Sequence, residues 1–464
     1  MSTGTTMTKM NTSTKMKWFV TFAIPILFLF IPPGEILTND IWTFLAITLF
    51  AILLIAFELT DTLLIGIILF TGYYVSGIAP ADVVFSPWAG TAVWVTIAVL
   101  FMATMLDECG VLRRIAIISI LKIGCSYKRT LWGLWFAGLL IGVMTSSWAH
   151  YIMPALCLGV CKALSLERNK ASFGIFMAGA IGAISSMDII YNPAMAAVLE
   201  AACQTVDPSI TITYVSFLAC NWPMIGFSVI SMFLLQKMFP NDEAFSSQDY
   251  FEKELKDMGV MVKAEKKALV LLAVLIGYAV CASIFNLPSA VGFMIIPWLA
   301  FLPGVNIVDN SALKKVNYSV AIFVAGCLAI GSVGSYLNIG TILSDFVSPY
   351  IVNLSPTMIL FGVWLLAFAT NFLLTPMAVL SALAAPVSAV VGAAGISPLG
   401  AGYMMFTNLN QVILPYENAG WLLFYSFGYI NIKDFIKFMS IRMAIHLVYC
   451  FVIMVPYWKL IGLL

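Results

Sequence analysis

Apolar positions in this chain run on rather than alternate. The windows "IWTFLAITLFAILLIAFEL" (41–59), "TAVWVTIAVLFMATML" (91–106), "ALVLLAVLIGYAVCASIF" (268–285) and "FMSIRMAIHLVYCFVIMVPYWKLIGLL" (438–464) carry few charges or none. A helical run of about 18 or more such residues crosses roughly 30 Å of hydrocarbon. About ten to twelve such segments are expected here, some of them short or interrupted. The pattern predicts an all-α polytopic protein of the cell membrane. Barrel strands would show as short alternating segments, and these are absent.

Composition agrees with that reading. Hydrophobic residues make up 62% of the chain and charged residues 10%, against about a quarter charged in soluble domains. A net charge of +1 without a basic stripe gives no reason to expect nucleic acid as a partner; the partners expected are the bilayer and a small solute. Nine cysteines lie scattered without a CxxC pair, and only His150 and His446 are present, so no metal site is expected. No cofactor is expected either. Residues 1–17, "MSTGTTMTKMNTSTKMK", read as a disordered tail, and Trp18 to Ile31 as a retained span, because "FLFIPPGEIL" offers no small-residue cleavage site. The segment 237–267 holds 13 of the chain's 45 charged side chains. Lys and Arg near span ends favour the cytoplasm, which places the tail and this segment inside.

The segment 237–267 divides two halves that resemble each other. "MLDECGVL" (105–112) recurs as "YLNIGTIL" (336–343), setting Gly110 opposite Gly340, and 36 residues further on lie Ser146 and Pro376 respectively. Asp188 in "AISSMDIIYNPAM" then stands at an offset of 229 from Glu417 in "LPYENAG". Such a series predicts an inverted repeat. The expected organisation is scaffold helices over 18–86 and 268–316, with repeats over 87–236 and 317–464. Each repeat holds one re-entrant hairpin and one broken helix.

The breaks carry the candidate chemistry. Backbone groups freed by Pro, Gly and small polar residues are costly in lipid and persist inside protein or beside a wet cavity. There, half-helix starts present N–H groups to anions, and unwound carbonyls hold cations. The hairpin tips supply Thr145, Ser146, Ser147, Thr375 and Pro376; the broken spans supply Ser185, Ser186, Asp188, Asn192, Pro193, Glu417 and Asn418. Ser146, Ser147, Asn192, Pro193, Thr375, Pro376 and Asn418 are the expected substrate-binding set, and Thr145, Ser185, Ser186, Asp188 and Glu417 the expected ion-coupling set. The plainer alternative, that Pro and Gly only kink helices or permit close packing, explains one break more readily than four at matching offsets. The two acids are open to two readings. They are hydrogen-bonded to loop amides, or they take part in ion coupling as cation ligand or proton carrier. His150 follows the first tip and is either packed or in contact with solute.

At the level of motifs the chain resembles the divalent anion:sodium symporter family, which includes citrate and succinate carriers. The likeness rests on "IPPGEILTNDIWTFLAI", on "SPWAGTAVWVTIAVLFMATMLDECGVLRRIAI", and on "LPYENAGWLLFYSFGYI" with its Pro415-Tyr416 pair and its Gly428-Tyr429-Ile430 ending. It spans most of residues 30–440. The resemblance implies a scaffold, a transport domain that moves as an elevator, and a homodimer. It also implies Ser-Asn-Thr hairpin tips that hold sodium and substrate carboxylates. Here the first tip reads Thr145-Ser146-Ser147 and the second Thr375-Pro376-Met377, so the asparagine is absent from both. The expected function is secondary transport of small organic anions, di- or tricarboxylates such as succinate, malate or citrate, coupled to sodium or by exchange. The rival within transport is an ion exchanger or inorganic-anion permease, proton-coupled through Glu417 and Asp188. An intramembrane enzyme would have only Ser147 with His150 and no third orienting group, so enzymatic activity is not expected.

Overall fold

The computed structural model describes residues 12–34, 36–57, 59–123, 126–145, 149–164, 166–241, 248–285, 287, 289–339, 342, 345, 349, 354–372 and 375–464. Among them the regular structure is helical throughout, with no strand. Among the described residues four helices are long and apolar enough to cross a membrane, up to six if each of two bent pairs counts as one span, and four shorter apolar helices accompany them. Large apolar side chains such as Phe19, Val75, Phe233 and Leu460 are exposed. That is how a lipid-facing surface differs from that of a soluble monomer.

Local chemistry sets the element ends. Helix Thr91–Glu108 meets Val111–Ile123 at a 65° bend, where Gly110 takes φ 77°, a left-handed conformation that favours glycine. Gly340, its expected counterpart, lies outside the described residues, but helix Tyr318–Tyr336 also ends on a left-handed residue, Asn338 at φ 57°. Pro193, Pro356, Pro376 and Pro398 each open a helix, where the missing N–H costs nothing. Helix Thr12–Leu29 takes in the last six residues of the polar start read as disordered tail.

The apolar core falls into two clusters. The smaller joins residues from Phe44 to Val93 with Phe323 to Val333, so helix Tyr318–Tyr336 packs on Thr62–Ser76. The larger holds most of the rest, including both broken spans. Within the charged segment 237–267, helix Gln248–Asp257 buries Phe251 and lies on Val111–Ile123. Arg114, 5% exposed, donates to Glu265 at 2.9 Å and to the carbonyls of Gly259 at 2.9 Å and Met258 at 3.1 Å. Arg113 pairs with Glu254, and Lys315 with Glu108.

Candidate functional site

The first broken span consists of Lys170–Ile189, then Ile190 to Asn192 out of helix, then Pro193–Gln204. Small residues let the hairpin helix Tyr127–Met144 lie tightly against it. A Cβ added at Gly174 would meet the Tyr127 hydroxyl at 2.1 Å, one at Gly182 the Trp135 carbonyl at 2.2 Å, and one at Gly142 the Ser186 side chain at 2.2 Å. Contacts that rise together along both helices mean that the two run parallel. Their ends, Met144–Thr145 and Asp188–Ile189, therefore lie side by side. Thr145 is buried and turns its hydroxyl onto the Ile141 carbonyl at 2.7 Å. Ser146 and Ser147 lie outside the described residues. Ser185 accepts from Ser228 at 2.8 Å, and Ser186 donates to the Ala183 carbonyl at 2.6 Å.

A second parallel pair links the halves. Ser388 Oγ lies 3.9 Å from Cys203 Sγ, and a Cβ at Gly392 would stand 2.7 Å from Val206. Helices Pro193–Gln204 and Pro376–Ala393 thus rise together, and their starts share one level. By that register Asn192 and Pro193 of the first break lie level with Met377 and Ala378, within a turn of Thr375 and Pro376 at the second tip. The Asn192 carbonyl-type oxygen accepts from Met195 N–H at 3.3 Å. Thr375 makes no such cap, so the N–H groups of the following turn receive nothing from its side chain. Both helix starts turn their positive dipole ends to the same region.

The other tip and break meet in the same way. His150, in the turn Ala149–Tyr151, lies 3.4 Å from where a Cβ on Gly420 would sit. Gly420 N–H is held by Asn418 Oδ1 at 2.8 Å at the start of helix Ala419–Ser426. Glu417 is 2% exposed and closes its own break: its carboxylate accepts from Leu414 N–H at 2.7 Å and from Ile413 N–H at 3.2 and 3.3 Å.

Asp188, 1% exposed, reaches across instead. One oxygen accepts from Asn410 Nδ2 at 2.7 Å and the other from Gln411 Nε2 at 3.0 Å, which joins the first break to the second. Gln411 also donates to the Thr407 carbonyl at 2.9 Å, and Trp421 Nε1 to the Asn410 carbonyl at 3.3 Å. Asn371, at the end of helix Pro356–Asn371, donates to the carbonyls of Leu409 at 3.3 Å and Gln411 at 3.1 Å, tying the second hairpin to the same break. Asp188 and Glu417 therefore do different work despite their matching offset. By position it is Asn408 that mirrors Asp188, each being the last residue but one of its half-helix.

Sequence reasoning did not single out Asn371, Asn408, Asn410, Gln411 or Arg442. The signal for three of them is "TNLNQ" (407–411), four polar residues of five inside an apolar run. A cavity of about 360 Å³ opens farther along the paired helices, lined by Glu200 and Ser381 together with Ser86, Thr91, Ser332 and Ser335. It lies between the two apolar clusters.

No curated protein matches the sequence. Among solved structures, the YdaH transporter of Alcanivorax borkumensis, described as having an unusual topology, superposes with a TM-score of 0.56 at 16% identity, covering 97% of this chain and 98% of that one. MtrF of Neisseria gonorrhoeae, described within a class of antimetabolite efflux pumps, gives 0.52 at 15% identity, with 94% and 92% covered. At these identities the likeness is one of fold. The profile of the sodium:sulfate symporter transmembrane region matches residues 12–464, so this multi-pass membrane chain belongs to that family of secondary anion transporters.

Proposed function

We propose that the protein moves small organic anions, di- or tricarboxylates such as succinate, malate or citrate, across the cell membrane, coupled to sodium or by exchange. The observation that carries this reading is the parallel pairing of helices Pro193–Gln204 and Pro376–Ala393, whose starts stand level. Two helix starts with aligned dipoles suit a carboxylate group. The region of Gly420 and His150 supplies a third start from the opposite pairing. The ends at Thr145, Ile189, Asn371 and Leu409 direct carbonyls toward the same junction, which suits a cation.

Charge balance favours co-transport. No Lys or Arg belongs to the first turns of these helices, so the starts themselves offer only partial charges; a dianion brought there carries more charge than one neighbouring guanidinium balances, which leaves room for a co-bound cation. Glu417 and Asp188 already accept two N–H groups each, an arrangement that favours a structural use of both carboxylates over proton exchange. The elevator motion and homodimer of the resembled family are part of the proposal. The hydroxyl-lined cavity between the two clusters is where one body would slide past the other.

Reconstituted protein tests this reading. Proteoliposomes loaded without sodium should accumulate labelled succinate, malate or citrate when sodium is added outside, or exchange them against internal unlabelled anion. Because the family description names sulfate, labelled sulfate belongs in the same panel. Uptake of sulfate alone would replace the carboxylate assignment, and proton-driven cation flux without anion movement would replace the reading with an exchanger.

A further inference from the structure

Arg442 lies on helix Ile432–Tyr449 and is 1% exposed, an isolated cation inside a span. Its Nε donates to Ser231 Oγ at 3.0 Å. Its guanidinium carbon sits 4.6 Å over the Phe227 ring and 5.6 Å over the Trp421 ring. Neither Nη1 nor Nη2 has a hydrogen-bond partner among the described residues. The charge of Asp188 acts on it, but no ion pair joins them among the described residues, and both Asp188 oxygens are engaged by Asn410 and Gln411.

This is an incomplete arrangement. A buried guanidinium that leaves two nitrogens without acceptors bears an uncompensated desolvation cost, so its environment should supply an acceptor. Two aromatic rings pack against the group, and the Nη edge is the part of it left without an acceptor among the described residues. Two N–H groups side by side on that edge match two oxygens of a carboxylate or sulfate, or one halide between them. The edge is also in the right place. Trp421 belongs to the first turn of Ala419–Ser426 and holds the Asn410 carbonyl, while Asp188 marks the end of the first half-helix.

We propose that the Nη edge of Arg442 is an anion subsite of this junction, taking a carboxylate or small inorganic anion in the guanidinium plane. The occupant is the transported solute's own carboxylate or a resident inorganic anion. The subsite requires binding and not transport, so it stands or falls separately from the uptake reading.

The test uses full-length protein purified in detergent and dialysed against a buffer free of chloride, sulfate and carboxylates. Chloride, sulfate, succinate and citrate are titrated singly while the apparent melting temperature is followed. Wild type should be stabilised by at least one of them, saturably. Arg442→Gln should abolish that response, and Arg442→Lys, which keeps the charge but not the fork, should raise the half-saturating concentration about tenfold. If Arg442→Gln does not fold, Arg442→Lys together with Ser231→Ala, which releases the Nε contact, carries the test. Competition between an inorganic and an organic anion identifies the solute's own carboxylate as occupant; independent, additive stabilisation identifies a resident ion. No response of wild type to any of the four, or an unchanged response in the Arg442 variants, overturns the proposal. Arg442-dependent binding in a protein that fails every uptake assay would leave the subsite standing and the transport reading refuted.

Discussion

Asp188 offers the sharpest energetic test, because two halves of the chain meet on one carboxylate. Its oxygens accept from Asn410 at 2.7 Å and Gln411 at 3.0 Å in a site with 1% exposure. Hydrogen bonds to a charged group contribute about 1.5–3 kcal/mol each, against about 0.5–1.5 between neutral groups. Asp188→Ala strands both amide donors and should cost about 3–6 kcal/mol. Asp188→Asn is milder for a reason visible in the structure. Gln411 cannot turn over without losing its bond to the Thr407 carbonyl, but Asn410 Oδ1 has no partner among the described residues, so that amide can flip to face the new donor. Two charged bonds then become two neutral ones, a loss of roughly 2–3 kcal/mol. Moving the acid across the junction, in Asp188→Asn with Asn410→Asp, restores one charged bond and should recover about 1–1.5 kcal/mol relative to Asp188→Asn alone. Equilibrium unfolding in mixed micelles reads all three variants. Losses within about 0.5 kcal/mol of wild type, typical of surface substitutions, or strict additivity in the swapped pair, would refute the link between the breaks.

Other consequences are as specific. Gly182→Ala sets a methyl 2.2 Å from the Trp135 carbonyl and should cost about 1–3 kcal/mol with loss of transport, whereas Gly277→Ala, with nothing within 4 Å, should be neutral or stabilising by up to about 1 kcal/mol. Equal effects on thermal stability would contradict the tight parallel packing. Glu417→Gln keeps one oxygen for Leu414 N–H and should retain most stability, while Glu417→Ala leaves Leu414 and Ile413 without their acceptor and should lose about 2–4 kcal/mol in the same unfolding assay. A larger loss for Gln than for Ala would rule out the cap. Arg114→Met strands buried Glu265 and should cost about 3–5 kcal/mol; adding Glu265→Met should give part of that back, because no charge is then left alone. A double variant weaker than the single one would show the pair to be something other than a buried bridge.

Much of the architecture was legible because lipid leaves few choices. Uninterrupted apolar runs announce helices, and Pro193, Pro376 and Asn418 announce where they break. What the linear pattern could not show is which break faces which. The offset of 229 paired Asp188 with Glu417, since both are acids near a Pro, yet one spans the junction and the other caps its own turn. That difference depends on the parallel approach of Pro193–Gln204 and Pro376–Ala393, set by contacts such as Ser388 on Cys203 and Gly392 on Val206, which no short window contains. Arg442 and the "TNLNQ" stretch were visible as polar interruptions, but a polar residue in a span shows its use only once its neighbours are known.

The central claim is that helix starts and ends from both halves converge on one solute. A cryo-EM map of the purified protein with saturating sodium and the transported anion tests it most directly. The expected density lies between the starts at Asn192–Pro193 and Thr375–Met377 and within reach of Asn418–Gly420, touching both halves of the chain. Anion density bounded by residues of one half alone, or lodged away from all of these starts, would contradict the account.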